Sequence, residues 1–313
     1  MIDITDVSMV FDNKPYHSKV KYISEKGADI EESAPREKAL DSVSFQIPEG
    51  CIYGFTGFNG AGKSTLMRII CGVYKPTSGT VKVDDMITFD NPAAKEKMFF
   101  VNDETIEYSD FTLDRLMKYY SGYYPQFDRE LLFKLGKQLE LPFNRKLSTF
   151  SKGMKRQSIV LIGLSCHTKY LILDEAFDGL DPAMRKMIKD IIVQEVRSNG
   201  TTLIVSSHNV LEIGDMCDKV MRLSKGKLVF SDRISAIESN VKKYQIIAGD
   251  RIITPENISD AGISYENYSR DGHVVKIIVS ECENTEDKIK MLEPLYYEEL
   301  PLNLEEVFIY DKV

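Results

Sequence analysis

The chain has 313 residues, a length that predicts about two domains. Of these residues 43% are hydrophobic and 28% charged, so the chain can bury a substantial core. Its net charge of −8 argues against nucleic acid as the main partner. The acidic N-terminus does not fit a secretory signal, and the apolar run at residues 157–168 is too short to cross a bilayer.

The first segments predict two strands separated by a polar insert. Residues 2–11 alternate between apolar and polar side chains as an edge strand does, and residues 39–47 alternate again. Residues 12–38 include many charged side chains and few apolar ones, so we expect an inserted loop or hairpin there. The turn at residues 48–50 then leads into an apolar segment, residues 51–56, which predicts a buried strand.

Residues 57–65 read Gly-Phe-Asn-Gly-Ala-Gly-Lys-Ser-Thr and fit the phosphate-binding loop known as Walker A. A buried strand precedes them and a helix start at residues 66–70 follows, which is the context that the motif requires. The glycines would allow backbone N–H groups to surround phosphates at a helix N-terminus. We therefore predict a nucleoside triphosphate site, although a structural glycine turn is the alternative. The predicted contacts are Gly57, Asn59, Gly60, Ala61, Gly62, Lys63, Ser64 and Thr65.

Four side chains of the sequence predict phosphoryl chemistry. Lys63 would neutralise the terminal phosphates, and Ser64 would offer its hydroxyl to Mg²⁺. The apolar strand at residues 170–173 ends at Asp174, a candidate ligand of Mg²⁺ through water, and Glu175, which could polarise a water for attack on the γ-phosphate. Such an acidic pair also occurs as a charge pair at helix N-termini, but the phosphate-binding loop in the same chain favours the catalytic interpretation.

The rest of the chain up to residue 235 predicts alternating strands and helices. Residues 110–168 are expected to be mainly helical, with tyrosines at 119–124 that form either helical core or a groove for a partner. The alternation implies a mostly parallel sheet flanked by helices. The other predicted elements are a strand at 80–83, a helix at 183–198, a strand at 202–206 and a hairpin of strands 220–223 and 227–230.

After about residue 240 the sequence pattern changes, and residues 236–313 are predicted to form a small α+β domain. We expect short strands at 244–248, 251–254 and 274–279 and a helix at 285–292. The domain division is therefore 1–235 and 236–313.

The first domain resembles the ABC ATPases, because five motifs of that family occur in the correct order. Besides the phosphate-binding loop and the Asp174-Glu175 strand end, Phe150-Ser151-Lys152-Gly153-Met154 is similar to the signature motif Leu-Ser-Gly-Gly-Gln. Residues 178–181, Asp-Gly-Leu-Asp, resemble the D-loop, and His208 after Ser206-Ser207 resembles the switch histidine. Phe11 occupies the place of the aromatic residue that stacks on adenine. The chain as a whole most resembles the ATPase subunits of bacterial ABC exporters, including those linked to antibiotic and peptide resistance.

The resemblance implies an α/β fold of the P-loop NTPase type, with a mixed or parallel sheet and a helical subdomain. It also implies that two chains face each other head to tail and bury two ATP molecules with Mg²⁺. Ser151 and Gly153 of one chain would then contact the γ-phosphate that Lys63 of the other holds, with Asp181 among the nucleotide contacts. Ser151 is equally suited to cap a helix, and both roles are compatible. His208 would touch the γ-phosphate and orient the attacking water.

Three positions depart from the usual pattern of the family. The glutamine that normally contacts Mg²⁺ is missing near residues 99–104, and Asp103 is its best positional match. Lys152 stands at a glycine position of the signature motif and Met154 at its glutamine. Ala176-Phe177 replaces the usual Pro-Thr after Glu175. The phosphate-facing residues are retained, so we predict a working ATPase.

The leading hypothesis is the ATP-hydrolysing subunit of an ABC membrane exporter of a drug, peptide or lipid-like substrate. Its partners would be a separate transmembrane permease and a second ATPase chain, with no nucleic acid. We expect it in the cytoplasm, on the inner face of the membrane, and its five scattered cysteines fit reduced intracellular thiols. The alternatives are a soluble ABC ATPase of the DNA-repair or ribosome type and a regulatory module that binds ATP without hydrolysis.

Overall fold

The structure is a computed structural model, and it describes residues 1–11, 38–102, 110–236, 241–249, 252–279 and 284–301. Residues 12–37 of the predicted insert and Asp103 lie outside the described residues. The strands are β1 Ile2–Val10, β2 Lys38–Ile47, β3 Ile52–Thr56, β4 Ser78–Val83, β5 Met86–Ile87, β6 Met98–Val101, β7 Tyr170–Leu173, β8 Thr202–Ser206, β9 Lys219–Ser224, β10 Lys227–Arg233, β11 Lys242–Ile247, β12 Asn267–Asp271, β13 Val274–Val279 and β14 Tyr296–Leu300. The helices are α1 Lys63–Ile70, α2 Pro92–Lys95, α3 Leu113–Tyr123, α4 Arg129–Gln138, α5 Lys152–Ser165, α6 Pro182–Asn199, α7 Val210–Met216, α8 Pro255–Asp260 and α9 Thr285–Met291, with a 3₁₀ turn at Leu147–Thr149.

A six-stranded sheet in the order β10-β9-β3-β8-β7-β6 forms the centre of the fold. Strands β9, β3, β8, β7 and β6 run parallel, and β10 adds an antiparallel edge. Every residue of β3, β7 and β8 is buried, as expected for parallel strands that are covered on both faces. The predicted mixed, mostly parallel α/β architecture is confirmed.

A second sheet, in the order β2-β1-β4-β5, packs its apolar positions around α1 and one face of the central sheet. Its strands are all antiparallel, and β1 pairs with β2 through several register shifts. One hydrophobic cluster joins Ile2 and Ile4 of β1 with Leu66 of α1 and Tyr53 of β3. The helix that follows β3 is therefore held between the two sheets.

The predicted helical region at 110–168 contains α3, α4 and α5, and each begins at a capping side chain. Thr112, Asp128 and Ser151 each accept a hydrogen bond from a backbone N–H in the first turn of its helix. Tyr124 packs on Phe99 and donates its hydroxyl hydrogen bond to the Met98 carbonyl at 3.1 Å. Tyr120 and Tyr124 therefore pack against the core, whereas Tyr123 is exposed, so the helical-core interpretation holds for only part of the aromatic run.

Four strands between Lys242 and Leu300 form a separate antiparallel sheet in the order β12-β13-β11-β14. The sequence of elements is strand, helix, strand, strand, helix, strand, which is the ferredoxin-like arrangement. Its own hydrophobic cluster includes Tyr244, Ile277 and Ile289 and supports the proposed domain division. The predicted strand at 251–254 is wrong for residues 252–254, because Thr254 caps α8 through a reciprocal capping box with Asn257.

Within the described ranges, none of the helices is both long enough and apolar enough to span a bilayer.

Candidate functional site

The site lies where three neighbouring parallel strands end. Strand β8 lies between β3 and β7, and the three run in the same direction. Their carboxyl ends therefore bring together the glycine loop after β3, Asp174 and Glu175 after β7, and His208 shortly after β8. Crevices at this edge are the common ligand-binding position of such sheets.

The glycine loop is shaped by backbone conformations that other residues rarely adopt. Gly57 has φ 141°, Gly60 φ 81° and Gly62 φ 106°. A Cβ on Gly57 would lie 2.4 Å from the Leu223 carbonyl oxygen, and one on Gly62 would lie 2.5 Å from the Ala39 carbonyl oxygen. The loop is thus packed closely against its neighbours and leads directly into the N-terminus of α1.

Lys63 is buried at the start of α1, and its charge faces the two carboxylates. Its Nζ donates to the Gly57 carbonyl at 2.8 Å and to the Phe58 carbonyl at 3.4 Å. Burial lowers the pKa of Lys63, while the nearby Glu175 and Asp174 oppose that shift. The ammonium group is held by carbonyl oxygens of the loop, from which it can turn to an incoming phosphate.

Asp174 is fully buried and has one carboxylate oxygen without a hydrogen-bond partner among the described residues. Its Oδ1 accepts a hydrogen bond from Ser206 Oγ at 2.6 Å, and that Oγ in turn accepts from the Glu175 backbone N–H at 2.9 Å. A buried carboxylate oxygen without a partner is costly unless a cation or donor satisfies it. Oxygen ligands suit Mg²⁺, so Asp174 and the hydroxyl of Ser64 fit this ion.

Glu175, Asp178 and His208 form a cluster in which one carboxylate oxygen of each acid and one ring nitrogen of the histidine lie within 4.8 Å of one another. His208 Nδ1 lies 3.6 Å from Asp178 Oδ1. Burial raises the pKa of the Glu175 carboxyl, as does the charge of Asp178, and Lys63 acts in the opposite direction. Glu175 also has φ 47°, an uncommon backbone conformation for a non-glycine residue and one that is concentrated at functional sites.

The predicted signature residues lie at the N-terminus of α5. Ser151 is its N-cap and accepts a hydrogen bond from the Met154 N–H at 3.1 Å, so the capping role is confirmed. A Cβ on Gly153 would lie 3.3 Å from Leu180 Cδ2, which places α5 against the 178–181 loop. Lys152, at the position of a family glycine, packs over Gly179 and is itself exposed. The exposed helix N-terminus can accept an anion from outside the chain.

Asp181 and Phe11 have local partners in this chain. The side chain of Asp181 caps α6 through a hydrogen bond from the Met184 N–H at 3.0 Å. Phe11 follows β1 and contacts Tyr74 edge to face with ring centroids 5.9 Å apart. Their roles as nucleotide contacts remain predictions.

A polar network next to His208 was missed by sequence reasoning. Buried Glu212 of α7 pairs with Arg185 of α6 at 2.6 Å and accepts from Ser207 Oγ at 2.7 Å. Arg185 also donates to the Leu180 carbonyl at 3.4 Å, so one network joins the 178–181 loop to the residue before His208. The residues are far apart in sequence, and no spacing pattern would have revealed them.

Comparison with known proteins shows which family the chain is similar to. Residues 40–178 match the family model described as "ABC transporter". The ABC transporter ATP-binding protein YtrB of Bacillus subtilis (strain 168) is 27% identical over 87% of this chain and 92% of its own length.

Two further relatives have names that specify a transported substance. The bacitracin transport ATP-binding protein BcrA of Bacillus licheniformis is 29% identical over 70% of this chain and 72% of its own length. The methionine import ATP-binding protein MetN of Protochlamydia amoebophila (strain UWE25) is 29% identical over 64% of this chain and 61% of its own length.

The fold is also shared with a solved structure. This structure is described as the dimeric post-hydrolysis state of the ATP-binding cassette MJ0796 bound to ADP and Pi. It aligns with a TM-score of 0.61 at 20% identity, over 75% of this chain and 99% of the other. The likeness shows the ATP-binding-cassette fold.

Proposed function

We propose that the chain hydrolyses ATP to drive a separate membrane permease. Its match to the ABC transporter family model at residues 40–178 supports this proposal. The observation that carries the proposal is the meeting of Lys63, Asp174 and Glu175 at the carboxyl ends of β3 and β7, the two parallel strands that flank β8. The relatives YtrB and BcrA are both transporter ATP-binding proteins, which favours this role over the soluble repair or ribosome class.

The residues of the site have complementary chemical roles in ATP hydrolysis. The backbone N–H groups of the glycine loop and the Lys63 ammonium bind and orient the phosphates. The Glu175 carboxylate orients a water molecule for in-line attack and accepts its proton. Because burial favours the neutral form of Glu175, this carboxyl is a better proton acceptor than an exposed glutamate.

Ser64 and Asp174 are the described residues that would hold Mg²⁺, and Asp103 remains a further candidate by position. The orphaned Oδ2 of Asp174 supports this assignment. When bound, Mg²⁺ would neutralise charge on the terminal phosphates. Ser206 keeps the other carboxylate oxygen in place through its 2.6 Å hydrogen bond.

Two copies of the chain would complete each site in this proposal. Ser151, Lys152 and Gly153 lie at the exposed N-terminus of α5, where a γ-phosphate held by a second chain would find N–H donors. The same loop-and-helix arrangement in the partner would hold a second ATP. Nucleotide binding would then close the pair, and hydrolysis would open it.

Export is the proposed direction of transport. The resemblance of the chain to resistance exporters and the relative BcrA, named for bacitracin transport, support it. The relative MetN is named for import, so direction requires its own test. Inside-out membrane vesicles that contain the chain and its permease should accumulate labelled bacitracin or a related peptide on addition of ATP. Accumulation only in right-side-out vesicles would establish import instead.

The hydrolytic claim is tested by steady-state phosphate release with Mg²⁺ and ATP, for the chain alone and with its copurified permease. Wild type should turn over, and Glu175→Gln should lose nearly all activity while it still binds ATP. Glu130→Gln, on the exposed start of α4, is the matched control and should behave as wild type. Equal inactivity of wild type and Glu175→Gln under both conditions would favour a regulatory module that binds ATP without hydrolysis.

A further inference from the structure

Asp178 is a charged side chain of the site that has no role so far, either in ATP hydrolysis or in holding a cation. It lies in the tight turn after β7, where its backbone N–H donates to the Glu175 carbonyl at 3.2 Å. Gly179, with φ 78°, follows at once and lies beneath the Lys152 side chain. The position of Asp178 is therefore fixed by the loop on both sides.

His208 faces Asp178. Hydrogen bonds hold the residue before it in place, but the ring of His208 is exposed. Ser207, the preceding residue, donates to Glu212 at 2.7 Å and accepts from the Asn209 N–H at 3.0 Å. The side chain of His208 is 55% exposed, so its ring needs a partner to adopt one orientation. Its Nδ1 lies 3.6 Å from Asp178 Oδ1, a distance that can shorten when the site closes around its substrate.

We propose that Asp178 is a positioning residue for His208: its carboxylate holds the proton on Nδ1, so that Nε2 carries no proton and accepts a hydrogen bond from the attacking water beside the γ-phosphate. This inference rests on the proposed hydrolysis of ATP. A neutral imidazole has one N–H donor and one acceptor nitrogen, and the partner of one nitrogen decides which of them carries the proton. A carboxylate only accepts, so the nitrogen facing Asp178 is the protonated one.

The other charged groups around the ring do not replace Asp178. Glu175 is the second carboxylate of the cluster, but it is assigned to the attacking water. Arg185 and Glu212, from α6 and α7, pair with each other at 2.6 Å and engage Ser207. Lys63 faces Glu175 and Asp174. Asp178 is thus the carboxylate left to orient the imidazole.

Turnover measurements with Asp178→Ala give the first test. The kcat of phosphate release should fall by roughly tenfold, the lower end of the loss seen when the hydrogen-bond partner that orients a metal-bound histidine is removed, while the KM for ATP changes little. The loss should shrink markedly in a His208→Ala background, because the two residues act as a unit. Asp190→Asn, on the exposed face of α6, is the control and should leave kcat unchanged.

Nitrogen-15 NMR of histidine-labelled protein gives a second test that does not depend on turnover. At a pH where the ring is neutral, His208 should carry its proton on Nδ1 in wild type and on Nε2 in Asp178→Ala, with the signal assigned from His208→Gln. An unchanged tautomer together with normal kcat in Asp178→Ala overturns the inference, as does an equal loss of kcat with and without His208. A wild-type chain that releases no phosphate contradicts the proposed function instead.

Discussion

At the residue scale, the candidate site combines one buried cation with carboxylates that the protein only partly satisfies. Lys63 is 5% exposed and donates to loop carbonyls, whereas Asp174 keeps one buried oxygen without a partner among the described residues. Such an arrangement costs free energy, and the proposed phosphate and cation would offset that cost on binding. These buried groups therefore lower the free energy of unfolding but prepare the site for a ligand.

Replacement of Lys63 tests the phosphate contact. Lys63→Ala should weaken ATP binding by roughly 10- to 100-fold, because a hydrogen bond to a charged group contributes about 1.5–3 kcal/mol. Titration of a fluorescent ATP analogue would measure the change. Lys82→Ala, on the exposed side of β4, should bind as wild type. Equal affinity of Lys63→Ala and wild type would show that the lysine remains turned to the loop carbonyls when ATP binds.

At the element scale, β3, the glycine loop and α1 could be predicted because the residues that indicate each of them are neighbours in the sequence. The apolar run of β3, the glycines and the helix start are contiguous in sequence, and the structure confirms each. The sequence places Asp178 only within the segment that resembles the D-loop and gives no role to Arg185 or Glu212, since their contacts join α6, α7 and two loops that only the folded sheet brings together. The predicted strand is wrong for residues 252–254 because a reciprocal cap at Thr254 begins a helix there, and strand propensity takes no account of such a cap.

The glycine loop offers a comparison between two positions of positive φ, Gly57 at 141° and Gly60 at 81°. Gly57→Ala should destabilise the chain more than Gly60→Ala, because its Cβ would lie 2.4 Å from a backbone oxygen, whereas the Cβ at Gly60 meets nothing within 4 Å. Gly60→Ala should cost about 1–2 kcal/mol, the cost of left-handed backbone for a residue with a side chain. Urea unfolding of both variants gives the difference directly. Equal destabilisation would mean that conformation alone, and not close packing, requires glycine at position 57.

At the scale of the whole molecule, one carboxylate joins distant parts of the ATP-binding domain. Asp84, between β4 and β5, accepts hydrogen bonds from Lys97 at 2.8 Å, Lys169 at 2.9 Å and the Tyr170 hydroxyl at 2.6 Å. Burial opposes its ionisation, but these donors outweigh that effect and hold the pKa of Asp84 well below its ordinary value. The network connects the antiparallel sheet to the amino ends of β6 and β7.

Asp84→Asn should therefore lower the free energy of unfolding at neutral pH by about 2 kcal/mol, as expected when a charge-assisted network is broken. Because the folded pKa is depressed, the contribution is present above the ordinary value of 3.8 and is lost as the pH falls below it. The difference between variant and wild type should thus narrow in urea unfolding at pH 3 relative to pH 7. The neighbouring Asp85→Asn, also at positive φ but exposed, is the control. If the difference in unfolding free energy between Asp84→Asn and wild type did not change with pH, the ionised carboxylate would not be its source.

The central claim is that ATP is held between two copies of this chain. Its most direct measurement is the molecular mass of Glu175→Gln in solution by sedimentation, with Mg²⁺ and either ATP or ADP, compared with Glu175→Gln that also carries Ser151→Ala. We predict a dimer with ATP, a monomer with ADP, and a much weakened dimer when Ser151 is replaced. A monomer at saturating ATP, both alone and in the presence of its permease, would contradict the account.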